Sequence, residues 1–139
     1  MFSLAPVPLQ YHDGLRRAAL WLWGTLVAAI VVMSLMPDFG PPGELFIDKI
    51  LHGLGYGSAA GLPFLAFRER RPVYIAACLM LPMGLVLEIL QDYIPGRVTD
   101  AGDALANATG VLIGLALGPL ARRLANLWFG ISSDTAPSV

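Results

Sequence analysis

Long apolar stretches separated by short polar clusters are the first pattern along this chain. Four stretches, residues 18–36, 50–67, 73–90 and 104–120, each contain 17 to 19 residues. A helix of that length extends about 27 Å, close to the roughly 30 Å hydrocarbon core of a bilayer. The pattern therefore predicts an all-α fold, a four-helix transmembrane bundle whose spans are of minimal length.

The composition agrees with a membrane protein. The 139 residues are 56% hydrophobic and 14% charged, and the mean hydropathy is +0.66, values that are unusual for a soluble domain. We predict one membrane domain over residues 1–130 and a disordered tail over residues 131–139, where Ser, Thr, Asp and Pro prevail. The single cysteine, Cys78, excludes an internal disulfide.

Positive charge is distributed unequally between the two predicted membrane faces. Of the nine basic residues, only Lys49 and Arg97 lie on one face, and the other seven lie on the opposite face. Cytoplasmic loops of membrane proteins carry the excess of Lys and Arg. Both termini are therefore predicted to be cytoplasmic. The seven residues on the cytoplasmic face are Arg16, Arg17, Arg68, Arg70, Arg71, Arg122 and Arg123.

Glycine recurs every four residues in the second and fourth spans. Glycines at this interval form a flat helix face that a second backbone can approach closely. Because both spans run inward from the outer face, we expect them to pack in parallel. Assembly with a partner protein or a second copy through the same faces is an alternative that stays open. The glycines are Gly53, Gly57, Gly61, Gly110, Gly114 and Gly118.

Polar residues converge on the outer ends of three predicted helices. In the second span, Asp48, His52 and Tyr56 are four residues apart and share one stripe. The start of the fourth span and the end of the third span carry further acids and amides. We therefore predict an outward-facing ligand-binding pocket. Its residues are Asp48, Lys49, His52, Tyr56, Glu88, Gln91, Arg97, Asp100, Asp103 and Asn107.

Several of these residues also have a local structural explanation. Asp100 would cap the fourth helix, with Asp103 near its third position. Lys49 would extend to the lipid head groups, as lysines at helix ends do. His52 and Glu88 are harder to explain locally, because a titratable group inside a span is costly and usually faces a partner or water.

The order and spacing of these polar residues resemble the VanZ-like membrane proteins. The resemblance covers about residues 30–118. The founding member of that family is associated with resistance to the glycopeptide antibiotic teicoplanin. The resemblance implies a protein that binds an envelope lipid, a lipid-linked cell-wall precursor or an amphiphilic glycopeptide and modulates antibiotic sensitivity. It rests on Asp48, Lys49, His52, Tyr56, Glu88, Gln91, Pro95, Gly96, Arg97, Asp100, Asp103, Asn107 and Gly110.

Two functional classes fit this pocket. In a binding protein, Lys49 and Arg97 would attract phosphate or carboxylate, and the acids would orient hydroxyls or amines. In an intramembrane enzyme, His52 or Glu88 would be the general base for hydrolysis or transfer on a lipid-linked substrate. A variant of the enzyme hypothesis adds a divalent ion. Its ligands would be Asp48, His52, Glu88 and Asp103.

Other chemistries lack a signature in the sequence. The chain has no metal-binding motif, nucleophile elbow, phosphate-binding loop or dinucleotide fingerprint, so we predict neither a metal nor a cofactor. No basic nucleic-acid surface is present, so the expected partners are membrane lipids and the ligands named above. The missing catalytic motifs favour a binding protein over an enzyme, although acid and base chemistry requires no linear motif.

Overall fold

The computed structural model describes residues 13–37, 45–97 and 99–131, and within these ranges it contains helices and no strand. The all-α prediction is therefore confirmed. The predicted tail lies, from residue 132 onward, outside the described residues. The helices are α1 (Asp13–Leu35), α2 (Leu45–Gly61), α3 (Pro63–Ala66), α4 (Arg70–Cys78), α5 (Met80–Gln91) and α6 (Ala101–Ile131).

Prolines explain why the described helices outnumber the apolar stretches. Pro63 and Pro82 have no amide hydrogen to donate to the carbonyl four residues earlier. The regular helix is interrupted at Leu62, directly before Pro63, and at Leu79, three residues before Pro82. Neighbouring bonds continue across both breaks, including one of 3.1 Å from the Met83 amide to the Leu79 carbonyl. Helices α2 and α3 thus form one rod, and α4 and α5 form another.

The last helix extends well beyond its predicted span. The apolar stretch ends at residue 120, but α6 continues to Ile131. Arg122 and Arg123 end the hydrophobic pattern without ending the helix, because arginine, alanine and leucine all favour helical backbone. Apolar length therefore predicted the apolar part of this helix and not its full extent.

Three helical rods are long and apolar enough to cross a membrane. They cover Asp13–Leu35, Arg70–Gln91 and Ala101–Trp128. Large apolar side chains are exposed on these rods and on α2, among them Trp21, Leu54, Ile89 and Leu117. So much exposed apolar surface is typical of a protein that contacts lipid, and the fold therefore indicates a helical membrane protein.

Helices α2 and α6 touch through their glycines. A Cβ atom on Gly57 would lie 3.0 Å from the carbonyl oxygen of Gly110. A Cβ atom on Gly110 or Gly114 would collide with the carbonyl oxygen of Gly53 or Gly57, respectively. Early residues of α2 face early residues of α6, so the two helices run in parallel. The predicted packing of these glycine faces is confirmed.

A small core lies beside this contact. The ring of Phe64 occupies the space next to Gly118, where a Cβ atom would collide with it. Edge-on ring contacts join Phe64 to Tyr74, with centroids 5.5 Å apart, and Trp23 to Phe67, with centroids 5.6 Å apart. The buried residues of this core are Tyr56, Ala59, Ala60, Phe64, Val73, Ala77, Met80 and Val111.

A side chain of α1 replaces the backbone hydrogen bond that Pro63 removes. Pro63 cannot donate to the carbonyl of Ala59, and the indole Nε1–H of Trp23 donates to that oxygen instead, at 2.9 Å. An unpaired carbonyl is costly inside a protein and more so inside a membrane. This bond therefore fixes the depth of α1 against the α2–α3 rod.

The bundle has two chemically different ends. At one end, Arg68 Nη2 lies 2.7 Å from Asp13 Oδ1, and Arg122 Nη2 donates to the carbonyl of Arg68 at 2.6 Å. The start of α1, the α3–α4 connection and the later part of α6 therefore meet there. The polar residues predicted to form the pocket lie at the opposite end.

Candidate functional site

Seven of the predicted pocket residues form one group, which we call the polar cluster. Three come from the first part of α2, one from the last part of α5, and three from the start of α6. The glycine contact produces this arrangement, because it holds α2 and α6 in parallel with their polar ends at the same depth. The polar cluster consists of Asp48, Lys49, His52, Glu88, Asp100, Asp103 and Asn107.

Lys49 connects α2 to two carboxylates of α6. Its Nζ lies 2.5 Å from Asp100 Oδ2 and donates to Asp103 Oδ1 at 3.0 Å. The aliphatic part of the Lys49 side chain passes over Gly102, where a Cβ atom would lie 2.6 Å from Lys49 Cε. The absence of a side chain on Gly102 is therefore what lets the ammonium reach both acids.

Asp100 combines this ion pair with helix capping. Its Oδ1 accepts a 2.7 Å bond from the amide of Gly102, so the predicted capping role is confirmed. The Lys49 ammonium, followed by the Gly102 amide, lowers the pKa of the Asp100 carboxyl below its usual range. Asp100 is therefore a carboxylate at neutral pH, and its ion pair with Lys49 would weaken only in acid.

A second chain of polar contacts runs from α2 through α6 to α5. His52 Nδ1 lies 3.0 Å from Asn107 Oδ1, and Asn107 Nδ2 lies 3.5 Å from Glu88 Oε1. Because the amide nitrogen of Asn107 faces a carboxylate, its oxygen faces the imidazole, and Nδ1 of His52 carries the hydrogen. In the neutral imidazole the lone pair is then on Nε2, which lies 3.7 Å from Asp48 Oδ1.

Glu88 is the most deeply buried acid of the polar cluster. Its side chain is only 3% exposed. Within the described part of the chain, its Oε2 has no hydrogen-bond partner. A buried carboxyl oxygen without a partner is costly, so the position of Glu88 calls for an explanation.

Tyr56, predicted as a pocket residue, lies outside the polar cluster. It is buried nearby on the inner side, with its ring against Gly84 of α5.

Two predicted pocket residues are directed toward α1 instead. Gln91 Nε2 donates to the carbonyl of Ser34 at 3.1 Å. Arg97 donates to the carbonyls of Met33, at 2.7 Å, and Met36, at 3.2 Å. These carbonyls lie at the C-terminal end of α1, where backbone oxygens lack helical partners and attract cations. Arg97 thus caps α1, and a role in ligand binding stays a prediction for both residues.

Thr99 is a residue of this region that the sequence did not reveal. Its Oγ1 lies 3.1 Å from the carbonyl oxygen of Glu88 and also contacts the carboxylate of Asp92. Between Asp92 and Thr99 the chain turns at Gly96, whose φ of 80° suits glycine. Thr99 thus fastens the α5–α6 connection to the end of α5 that carries Glu88. Its position directly before the helix-capping Asp100 was the only local signal.

Acidic side chains outnumber basic ones in the polar cluster. Four carboxyl groups, from Asp48, Glu88, Asp100 and Asp103, accompany one ammonium, that of Lys49. This differs from the expectation that Lys49 and Arg97 attract an anion, because two carboxylates already hold the lysine. The surplus of acid suits a ligand that carries an amine, several hydroxyls or a metal cation.

The fold and the polar cluster together define a helical membrane protein with an acidic site at one end. No protein-family model, curated protein or solved structure matches the chain. The resemblance to the VanZ-like proteins therefore stays a prediction that rests on the residues.

Proposed function

We propose that this chain is a VanZ-like protein of the bacterial cytoplasmic membrane that binds the head group of an amphiphile in its polar cluster. The amphiphile is an envelope lipid, a lipid-linked cell-wall precursor or a glycopeptide, and its capture changes the sensitivity of the cell to antibiotics. The observation that carries the proposal is the buried Glu88, whose Oε2 lacks a partner in the described residues, within a group of surplus acid.

The proposed ligand follows from the chemistry of the polar cluster. Charged groups at a membrane surface are costly. A network with a purely structural role would lower this cost by pairing each charged group with an opposite charge. Here the carboxylates exceed the ammonium groups, so the head group should supply an amine and hydroxyls. Leu51, directly before His52, and Leu105, two residues after Asp103, are both exposed and would contact an acyl chain.

An enzymatic role is the second candidate, and the tautomer of His52 favours it. With the hydrogen on Nδ1, the neutral imidazole has its lone pair on Nε2, and at 3.7 Å from Asp48 this atom is too far for a good hydrogen bond. An unprotonated imidazole nitrogen next to bound substrate would serve as a general base for hydrolysis or transfer. Conversion of a lipid-linked substrate by the purified protein would distinguish this candidate from binding alone.

The proposed orientation places four spans in the membrane, both termini in the cytoplasm and the polar cluster at the outer face. Two observations support it: the arginine-rich end and the polar cluster lie at opposite ends of the bundle, and positive residues favour the cytoplasm. In a Cys78→Ser background, we expect Arg71→Cys to be inaccessible to an impermeant thiol reagent in intact cells. Tyr93→Cys, which is exposed at the other end, should be labelled. The reverse labelling pattern would show that the orientation is inverted.

The proposed function is tested by the sensitivity of cells to a glycopeptide antibiotic. Cells that produce the wild-type protein should tolerate a higher concentration than cells without it. Glu88→Gln, His52→Ala and Asp103→Asn should each return the tolerated concentration to that of cells without the protein. Each change removes a polar cluster group while the glycine contact that holds the helices stays intact.

The matched control is Glu69→Gln, which makes the same chemical change as Glu88→Gln at an exposed position of the arginine-rich end. It should retain wild-type tolerance, and immunoblots of membrane fractions should find equal amounts of all variants. Equal tolerance in cells with and without the wild-type protein would contradict the proposed role. Full tolerance in all three cluster variants would contradict the proposed site.

A further inference from the structure

Three side chains of the polar cluster point metal-binding atoms at one another. Asp48 and His52 lie one turn apart on α2, and Asp103 enters from the first turn of α6. One ligand atom from each of the three lies within 4.8 Å of the others. Ligands that share a cation at bond lengths of about 2.0 to 2.2 Å lie about 3 to 3.6 Å apart. Small side-chain rotations would therefore bring these atoms to coordination distance.

The hydrogen bond on the other side of the imidazole prepares His52 for a metal. Histidines that bind metals usually donate their second ring N–H to an oxygen, which fixes the tautomer and the ring orientation. In this structure His52 Nδ1 meets Asn107 Oδ1 at 3.0 Å. In the neutral imidazole the lone pair on Nε2 then faces the Asp48 carboxylate at 3.7 Å, so that a cation between them would meet two acceptors.

Glu88 provides an independent observation, a buried polar atom without a partner beside these residues. It is 3% exposed, and among the described residues nothing donates a hydrogen bond to its Oε2. The carboxyl lies within electrostatic range of both His52 and Asp103. A cation held by these neighbours would favour the ionised form of this carboxyl, which burial otherwise disfavours.

Lys49 does not supply this missing charge. Its Nζ is held by Asp100 at 2.5 Å and by Asp103 at 3.0 Å. If a cation took the Asp103 carboxylate, Lys49 would keep the shorter of its two ion pairs. Lys49 thus competes with a metal for Asp103, and it is not needed to hold Asp48 or His52 in place.

We propose that Asp48, His52 and Asp103 bind one divalent metal cation, with Asn107 orienting the histidine and Glu88 balancing charge from behind. One imidazole with two carboxylates suits Mn²⁺ or Zn²⁺ better than Ca²⁺, which takes oxygen ligands alone. The remaining coordination positions are open to water or to a ligand oxygen. Three of the four ligands that the sequence offered for a divalent ion are retained here, and Glu88 is not a ligand. The site does not depend on the proposed role in antibiotic sensitivity.

The test is a titration of Mn²⁺ into the purified, EDTA-stripped protein in detergent. Electron paramagnetic resonance measures the free Mn²⁺, and no lipid or antibiotic is present. We expect one ion per chain. Asp48→Asn, His52→Ala and Asp103→Asn should each abolish saturable binding, whereas Asn107→Ala should weaken it by about 10- to 100-fold. Glu69→Gln is the control and should bind as the wild type does.

The Lys49→Met variant distinguishes a metal site from a cluster that has only a structural role. Removing the competing ammonium should tighten Mn²⁺ binding, whereas a variant that merely loosened the fold would weaken it. Circular dichroism and size-exclusion chromatography identify variants that fail to fold, and for these the wild-type and Lys49→Met titrations decide the outcome. Wild-type protein that binds no stoichiometric Mn²⁺ or Zn²⁺ would overturn the proposal, and so would cluster variants that are folded and bind normally.

Discussion

Replacing Gly114 with leucine should lower the melting temperature of the protein in detergent by about 10 °C or more. A Cβ atom at this position would collide with the carbonyl oxygen of Gly57 and would lie 3.0 Å from the amide nitrogen of Gly61. Both obstacles belong to the backbone, so no side-chain rotation relieves the collision. Helices α2 and α6 must move apart, which costs about 3 kcal/mol or more.

The loss of stability on replacing a glycine should depend on the space around its Cβ position and not only on the loss of a glycine. Gly110→Ala should also destabilise, because its Cβ would collide with the Gly53 carbonyl, whereas Gly57→Ala meets its neighbour only at 3.0 Å and should be milder. Gly24→Leu on α1 is the matched control, since no atom lies within 4 Å of its Cβ position. Intrinsic fluorescence during heating measures all four variants. Wild-type melting of Gly114→Leu would mean that the proposed contact does not hold the bundle together.

Trp23→Phe should destabilise the protein by about 1 to 3 kcal/mol, the usual cost of leaving a buried polar group without its partner. The indole Nε1–H donates to the Ala59 carbonyl at 2.9 Å, and Pro63 prevents the helix from supplying a replacement. Phenylalanine keeps most of the ring, including an edge toward Phe67, but has no N–H. The loss should appear as a lower melting temperature, while Trp21→Phe, at an exposed position of the same helix, should change little.

Repeating Trp23→Phe in a Pro63→Ala background tests whether the Ala59 carbonyl is the cause of this loss of stability. An alanine in place of Pro63 restores an amide that can donate to the Ala59 carbonyl, so the indole is no longer needed for that oxygen. In the Pro63→Ala background, Trp23→Phe should therefore cost at least about 1 kcal/mol less than in the wild type. Additive effects of the two substitutions would show that the carbonyl does not depend on the tryptophan.

Much of the fold was predictable because its causes are local or periodic. The four apolar stretches correspond to the four rods, since a helix in a bilayer must satisfy its own backbone and present apolar side chains around it. The glycine faces predicted the α2–α6 contact because an interval of four residues places small residues on one side of a helix. Asp100 was predictable as a cap because the capping bond joins neighbours in sequence.

Membership of the polar cluster was predictable, but the role of each residue was not. Polar residues near matched helix ends were expected to meet, and seven of the ten did so. Arg97 and Gln91 instead donate to carbonyls at the end of α1. Nothing near residues 91–97 in sequence reveals that α1 ends beside them, because this depends on how the rods pack.

The helices, the glycine faces and the collection of polar residues at one end follow from the sequence, because periodicity, apolar length and capping act over a few residues. The partner that each polar atom receives depends on how the rods pack. This packing assigned Lys49 to two acids, oriented His52 through Asn107, left Glu88 Oε2 without a partner among the described residues and gave the Ala59 carbonyl to Trp23. The physical reason is range: hydrogen bonds and ion pairs require positions within about 3 to 4 Å, and only packing between distant segments sets those positions.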